Sequence, residues 1–113
     1  MSRRYEIEIA PTGYRSLETL KDKKLRREIA RVIDGLARSP EEQWRALLEP
    51  LVGVRSVRAA RGRFRILYQV DTRARLVSVL LVGKRAAGQD ADIYALAQKL
   101  LTTLRRGGKK ERL

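Results

Sequence analysis

Arg63-Phe64-Arg65-Ile66-Leu67-Tyr68-Gln69-Val70 is the stretch on which the reading of this chain turns. Phe64, Ile66, Tyr68 and Val70 fall at every second position, the period of a strand with one buried face. The same alternation sends Arg65 to the opposite face. Asp71-Thr72-Arg73-Ala74 comes next as a hairpin turn. Beyond it, Leu76 to Val82 reads as the next strand, and Val54 to Ala60 as the one before. Three strands joined by short connections predict a mainly antiparallel sheet.

Towards the N-terminus the pattern changes. Tyr5-Glu6-Ile7-Glu8-Ile9 alternates apolar and charged residues and predicts a half-buried strand, which Pro11-Thr12-Gly13 breaks. Tyr14, Leu17 and Leu20 then recur at helical spacing, and Lys21-Asp22-Lys23-Lys24 reads as a polar turn. Leu25, Ile29, Val32, Ile33 and Leu36 form the apolar stripe of a second helix, which Ser39-Pro40 ends. Glu41 to Gly53, with Trp44, Leu47, Leu48 and Leu51, fits either a helical turn or a packed loop. Ile93, Leu96, Ala97, Leu100, Leu101 and Leu104 predict a last amphipathic helix. The expected order is β-α-α-β-β-β-α, an α+β fold. A helical hairpin lies on one face of the sheet and a further helix stands at the C-terminus. Residues 1–104 read as a single domain, and 105–113 as a basic tail expected to be flexible.

Composition narrows the chemistry. The 113 residues hold 26 Lys plus Arg against 13 Asp plus Glu, a net charge of +13, which favours a polyanionic partner. There is no cysteine, so disulfide and thiol chemistry are excluded. There is no histidine either, so the usual general base and the usual zinc ligand are missing and a metal site is not expected. No apolar run follows the arginines of Met1-Ser2-Arg3-Arg4-Tyr5, so no signal peptide is expected. The run Val79 to Val82 is too short to span a membrane. These readings predict a cytoplasmic protein with no membrane partner.

The cations cluster. Between Pro50 and Arg85 stand Arg55, Arg58, Arg61, Arg63, Arg65, Arg73, Arg75, Lys84 and Arg85, against one acid, Asp71. Ser56 and Arg58 share a strand face, and hairpin pairing would bring Arg58 and Arg65 together there. Any one of these arginines reads equally as a solvated strand residue. As a group on one sheet face they repel one another unless an anion sits between them. Guanidinium groups bind phosphate oxygens in bidentate fashion, which makes such a face a phosphate clamp.

At this point the chain resembles a known family. Gly62-Arg63-Phe64-Arg65-Ile66-Leu67-Tyr68-Gln69-Val70, then Val79-Leu80-Leu81-Val82-Gly83-Lys84-Arg85, then Ile93-Tyr94, is similar to the core signature of RelE toxins in the RelE/ParE toxin–antitoxin superfamily. Leu51-Val52-Gly53 resembles the Leu-x-Gly step before the sheet in that family. The resemblance spans Tyr5 to Leu104 and implies the fold just described. It implies an endoribonuclease, an mRNA interferase that cuts mRNA in the ribosomal A site without a cofactor or metal, held inactive by a cognate antitoxin. Carried over by position, the catalytic set is Arg58, Arg65, Arg85 and Tyr94, with Arg55, Arg61, Arg63 and Lys84 as further RNA-binding residues. Ser56 departs from the family, which has a basic residue there. Either Arg61 or Arg55 supplies the missing charge, or the activity is weakened.

These residue types suit the implied reaction. The 2′-OH of RNA attacks the adjacent phosphate, which requires a base, stabilisation of the phosphorane and help for the leaving oxygen. Tyr94 in a cationic pocket is the candidate base, since nearby positive charge favours an ionised phenol. Asp90 and Asp92 are the reserve candidates. Two other readings compete: a ParE-like inhibitor that binds DNA gyrase and cuts no RNA, and an RNA-binding protein without activity.

Overall fold

The computed structural model describes residues 4–38, 45–46, 53–86 and 92–100. In chain order the elements are β1 (Glu6–Ile9), α1 (Pro11–Glu18), α2 (Lys23–Gly35), β2 (Arg45–Ala46), β3 (Arg55–Ala59), a 3-10 turn (Ala60–Gly62), β4 (Phe64–Asp71) and β5 (Leu76–Lys84). Helix α3 then runs over 93–100. The expected α+β order is present, with one addition. The ambiguous stretch contributes a two-residue strand, β2, antiparallel to β3. Trp44, Leu47, Leu48, Leu51 and the 105–113 tail lie outside the described residues.

The sheet order is β1-β5-β4-β3-β2. All neighbours are antiparallel except β1 and β5, which run parallel. The predicted turn forms because Asp71 Oδ1 accepts the backbone N–H of Arg73 and of Ala74, both at 3.0 Å. Pro11-Thr12-Gly13 does end β1, and it does so as the first turn of α1. Proline suits that position because its missing N–H would have no helical partner there. Likewise Asp22 is not loop but the N-cap of α2, its Oδ1 accepting from Lys24 N at 2.9 Å and Leu25 N at 3.2 Å.

Where β1 ends, β5 continues, and α1 satisfies the exposed edge of β5. Ala10 N donates to Val79 O at 2.9 Å, Thr12 Oγ1 donates to Leu80 O at 2.6 Å, and Val82 N donates to Ser16 Oγ at 2.9 Å. Side-chain hydroxyls thus replace a strand ladder that has run out. The approach is close enough to exclude a side chain at Gly13, where a Cβ would stand 2.6 Å from Val79 O.

The core has two parts, one on each side of β4. Ile66 and Tyr68 are buried against Ile29, Ile33 and Leu36 of the helical hairpin, with Val77, Val79 and Val82 of β5. On the other face, Leu67 is buried with Val54, Ile93 and Ala97, so α3 covers that face. Gly83 permits this contact, because a Cβ there would stand 2.7 Å from Ile93 Cδ1. Among the described residues no helix is long and apolar enough to cross a membrane.

The start of α3 is fixed by Asp92. Its carboxylate accepts from Ala86 N at 2.6 Å, from Tyr94 N at 3.1 Å and from the Arg85 guanidinium, with which it forms an ion pair. Burial pushes this carboxyl up. The bonds from Ala86 N, Arg85 and Tyr94 N, together with the charge of Arg85, outweigh that and hold it below the usual aspartate value.

These contacts can be tested by unfolding. Gly13→Ala should lower stability by about 1–3 kcal/mol in urea, since its methyl group meets backbone that cannot rotate away. Asp92 should make stability depend on acid. Its folded pKa lies below its unfolded one, so its contribution is complete above pH ~4 and is lost as pH falls through the folded value. Asp92→Asn keeps a capping oxygen but removes the titration. Its unfolding free energy should be lower at pH 7 and should fall less steeply than the native chain's below pH ~4. Parallel slopes would mean that Asp92 carries no such linkage.

Candidate active site

Strand β3 pairs with β4 so that Arg58 stands directly opposite Arg65, and Ser56 opposite Leu67. Alternation puts all four on the face that α3 covers in part. Arg65 in turn faces Gly83 of β5, and Arg85 lies two residues beyond Gly83 on the same side. Arg85 N donates to Arg63 O at 2.8 Å, which continues the β4–β5 pairing past the last ladder residue. Arg58 of β3, Arg65 of β4 and Arg85 just past β5 thereby share one end of this face.

Each of them is held differently. Arg58 is exposed. Arg65 is half-buried, and its Nη1 donates to Gly62 O and to Phe64 O, the latter at 3.1 Å. The turn it reaches back to is strained, since Ala60 and Arg61 adopt φ of 50° and 59°, a left-handed conformation that costs non-glycine residues energy. Arg85 has 34% of its side chain exposed and is anchored by Asp92. Its guanidinium carbon lies 4.7 Å from the centre of the Tyr94 ring, within cation–π range.

Tyr94 is the second residue of α3, and its position is set by the Asp92 cap and by the seating of Ile93 in the smaller core. Its hydroxyl lies 2.7 Å from Ser56 Oγ. Ser56 is itself buried, 8% exposed. The phenol is therefore held at two points, by a cation over its ring and by a hydroxyl at its tip.

The structure thus puts Arg58 and Arg65 on the sheet face of Ser56, where Tyr94 meets Ser56 and Arg85 meets Tyr94. It does not bring the other candidates to the same place. Arg55 stands opposite Tyr68, a residue of the main core, so alternation gives it to the helical-hairpin side. Arg61 and Arg63 line a cleft of about 340 Å³ with Asp22, Lys24, Leu25, Glu28, Ala60 and Phe64, beside the start of α2. Lys84 pairs with Phe64 and shares its side. The expectation that Arg61 or Arg55 supplies the charge missing at Ser56 is therefore corrected. The cation nearest the Ser56–Tyr94 pair in these contacts is Arg85.

Asp92 also changes standing. As a buried cap whose oxygens already accept three bonds, and which is held acidic, it is a poor proton acceptor. It is a strut that ties Arg85 to Tyr94. Asp90 lies outside the described residues. Sequence reasoning missed the strut, although an aspartate two residues before the tyrosine, at the head of an apolar helical stripe, is an N-cap signal. Among the described residues no group of three acids is placed to hold a metal.

No protein-family model matches the chain, and no curated protein matches it in sequence. Solved structures do match. A chain of the RelBE2 toxin–antitoxin complex from Mycobacterium tuberculosis is 29% identical with a TM-score of 0.67, over 76% of this chain and 97% of that one. The isolated RelE toxin of E. coli is 19% identical with a TM-score of 0.62, over 86% and 98%. A chain of the archaeal RelE–RelB complex from Pyrococcus horikoshii is 23% identical with a TM-score of 0.56, over 75% and 99%. The last two establish a shared fold, and the first adds a closer likeness in sequence. In fold, and with the first of them in sequence also, the chain is similar to toxins of the RelE type.

Proposed function

We propose that this chain is the toxin of a type II toxin–antitoxin pair and acts as a ribosome-dependent endoribonuclease. The observation that carries the reading is that Arg58 and Arg65 are paired on the sheet face where Arg85 lies over the Tyr94 ring. A phosphate clamp without a proton acceptor would serve binding alone. A tyrosine hydroxyl fixed within it supplies the missing group.

In this reading Tyr94 acts as the phenolate: its oxygen takes the proton of the 2′-OH, the 2′-oxygen attacks the adjacent phosphorus, the bond from phosphorus to the 5′-oxygen breaks, and that oxygen is protonated by water. The products are a 2′,3′-cyclic phosphate and a free 5′-OH. Arg58 and Arg65 stabilise the charge that grows on the phosphorane. Arg85, whose guanidinium is committed to Asp92 and the Tyr94 ring, acts on the leaving oxygen through its charge rather than by giving up a proton. The reaction runs on the chain's own side chains, with no metal. The mRNA is presented in the ribosomal A site, and the net charge of +13 draws the chain to that polyanion.

The same charge suits the partner. The Mycobacterium tuberculosis and Pyrococcus horikoshii likenesses are to toxin–antitoxin complexes. A cognate antitoxin for this chain would be acidic and would order itself on the basic surface.

Expression of the chain alone should arrest bacterial growth, and the adjacent antitoxin should restore it. On programmed ribosomes, Tyr94→Phe should lower single-turnover mRNA cleavage by about 10²–10⁴-fold, the span expected for a lost general base, with binding kept. Arg58→Ala should cost about 10²-fold as a lost transition-state contact, while Arg73→Ala, an exposed turn residue at the far end of β4, should be silent. Melting curves of each variant separate rate from folding. A fully active Tyr94→Phe protein would remove the tyrosine from the mechanism. Growth arrest without cleavage, together with loss of gyrase supercoiling, would establish the ParE-like alternative instead.

A further inference from the structure

Ser56 occupies a position where the family resemblance calls for a cation, yet it is not an empty place in the site. Its side chain is buried on β3, and its hydroxyl lies 2.7 Å from that of Tyr94, 38 residues away in sequence. Cross-strand pairing with Leu67 sets Ser56 against the smaller core. The serine hydroxyl thus links the sheet to the head of α3 at the atom the reaction uses.

We infer that Ser56 is a positioning residue for Tyr94, holding the phenol oxygen in line for the 2′-OH and exchanging hydrogen-bond direction with it during proton transfer. The inference rests on the proposed role of Tyr94. A phenol oxygen that accepts a proton needs a neighbour able to donate to it beforehand and able to accept from it afterwards. A serine hydroxyl has one O–H and two lone pairs and can do both by rotating its hydrogen, with no heavy atom displaced. A lysine ammonium can only donate. In this chain the two duties of a cation at that site are therefore divided. The charge comes from Arg85 across the ring face, 4.7 Å from its centre, and the directional bond comes from Ser56. Asp92 keeps the division in place, since it holds Arg85 by ion pairing and α3 by capping at once.

The balance of the step is simple. Tyr94 enters as the phenolate. The O–H bond of the 2′-hydroxyl breaks and its proton passes to the Tyr94 oxygen, the 2′-oxygen forms its bond to phosphorus, the bond from phosphorus to the 5′-oxygen breaks, and that oxygen takes a proton from water. The Ser56 proton stays on Ser56 throughout. Its bond to Tyr94 is made before transfer and reversed after it. Serine thus acts only through the tyrosine, which gives the proposal a signature that simple loss of packing would not produce.

The test is a double-mutant cycle read by single-turnover cleavage on programmed ribosomes, over a range of ribosome concentration. Ser56→Ala should lower the saturating rate by about 10–100-fold, the cost of a misaligned reacting group, and leave the half-saturating concentration unchanged. Ser56→Thr, which restores a hydroxyl, should recover most of that loss. Ser56→Cys, close to serine in size but a weak donor, should be slow while melting as the native chain does, so that slowness is not mistaken for unfolding. In a Tyr94→Phe background, Ser56→Ala should have no further effect, because the group it serves is already gone. A native rate for Ser56→Ala, or the same fold loss in both backgrounds, overturns the role of Ser56. If Tyr94→Phe is slow and Ser56→Ala fast, only this inference falls. If Tyr94→Phe keeps the native rate, or the native chain cuts no RNA, both fall.

Discussion

The pairing of β4 with β5 governs the rest of the molecule. The ladder runs from Phe64↔Lys84 to Asp71↔Leu76, with a register shift between Leu67 and Tyr68. A one-residue insertion bends a strand and redirects the side chains beyond it. On the Tyr68 side of the shift, Val77 and Val79 line up with Tyr68 and Val70 toward the helical hairpin. On the Leu67 side, Leu67 and Leu81 point to α3, while Arg65 and Gly83 form the floor beneath Arg85. One strand pair therefore lines the main core on one face, Ile66 and Val82 included, and carries the smaller core and the candidate site on the other. Loss of this register would move every one of those side chains to the wrong face.

The order of the strands was legible because β4 and β5 are apolar at the right period and are separated by an Asp-led turn. What could not be read was that β4 is buried on both faces. Leu67 sits in sequence between Arg65 and Gln69 on what alternation marks as the open side, yet it is 1% exposed. A single apolar residue among polar ones carries too little pattern to announce a second core. The partner that buries it, α3, begins at residue 93, far along the chain. The same distance problem hides β2, which is defined only by its bonds to β3 and has no periodicity in two residues. The place of Pro11 in the first turn of α1 and the cap that Asp22 gives α2 were open to local reading, but helix starts and turns use the same residue types.

The candidate site divides along similar lines. Arg58 facing Arg65 comes from the two-residue period and from adjacency of the strands, both visible in sequence. Arg61 and Arg63 were assigned to the same surface by proximity along the chain, which is a weak guide here. A turn with two left-handed residues intervenes and swings them toward α2. Arg55 is separated from the site by parity alone, one residue from Ser56 and on the other side of the sheet. Charge counts along the sequence therefore overstate the basic face. The nine cations between Pro50 and Arg85 divide among at least two surfaces, and three of them, Arg58, Arg65 and Arg85, share the face that carries Tyr94.

That division bears on how so cationic a site stays folded. Like charges opposite one another on a sheet are destabilising, and Arg58 against Arg65 is such a pair. Three features ease it. Arg65 turns its Nη1 to the carbonyls of Gly62 and Phe64, which places backbone dipoles against its charge. Arg85 is neutralised in part by Asp92 and stacked on Tyr94. Arg58 is left exposed, where water screens it. The site is thus held as a set of restrained charges, two of them tethered to groups the fold already needs. A phosphate entering it would meet guanidinium groups whose orientation is set before binding. Preorganised charge of this kind needs little reorganisation when negative charge develops. The strain at Ala60 and Arg61 belongs to the same arrangement, since the turn that carries it is what brings Gly62 O within reach of Arg65.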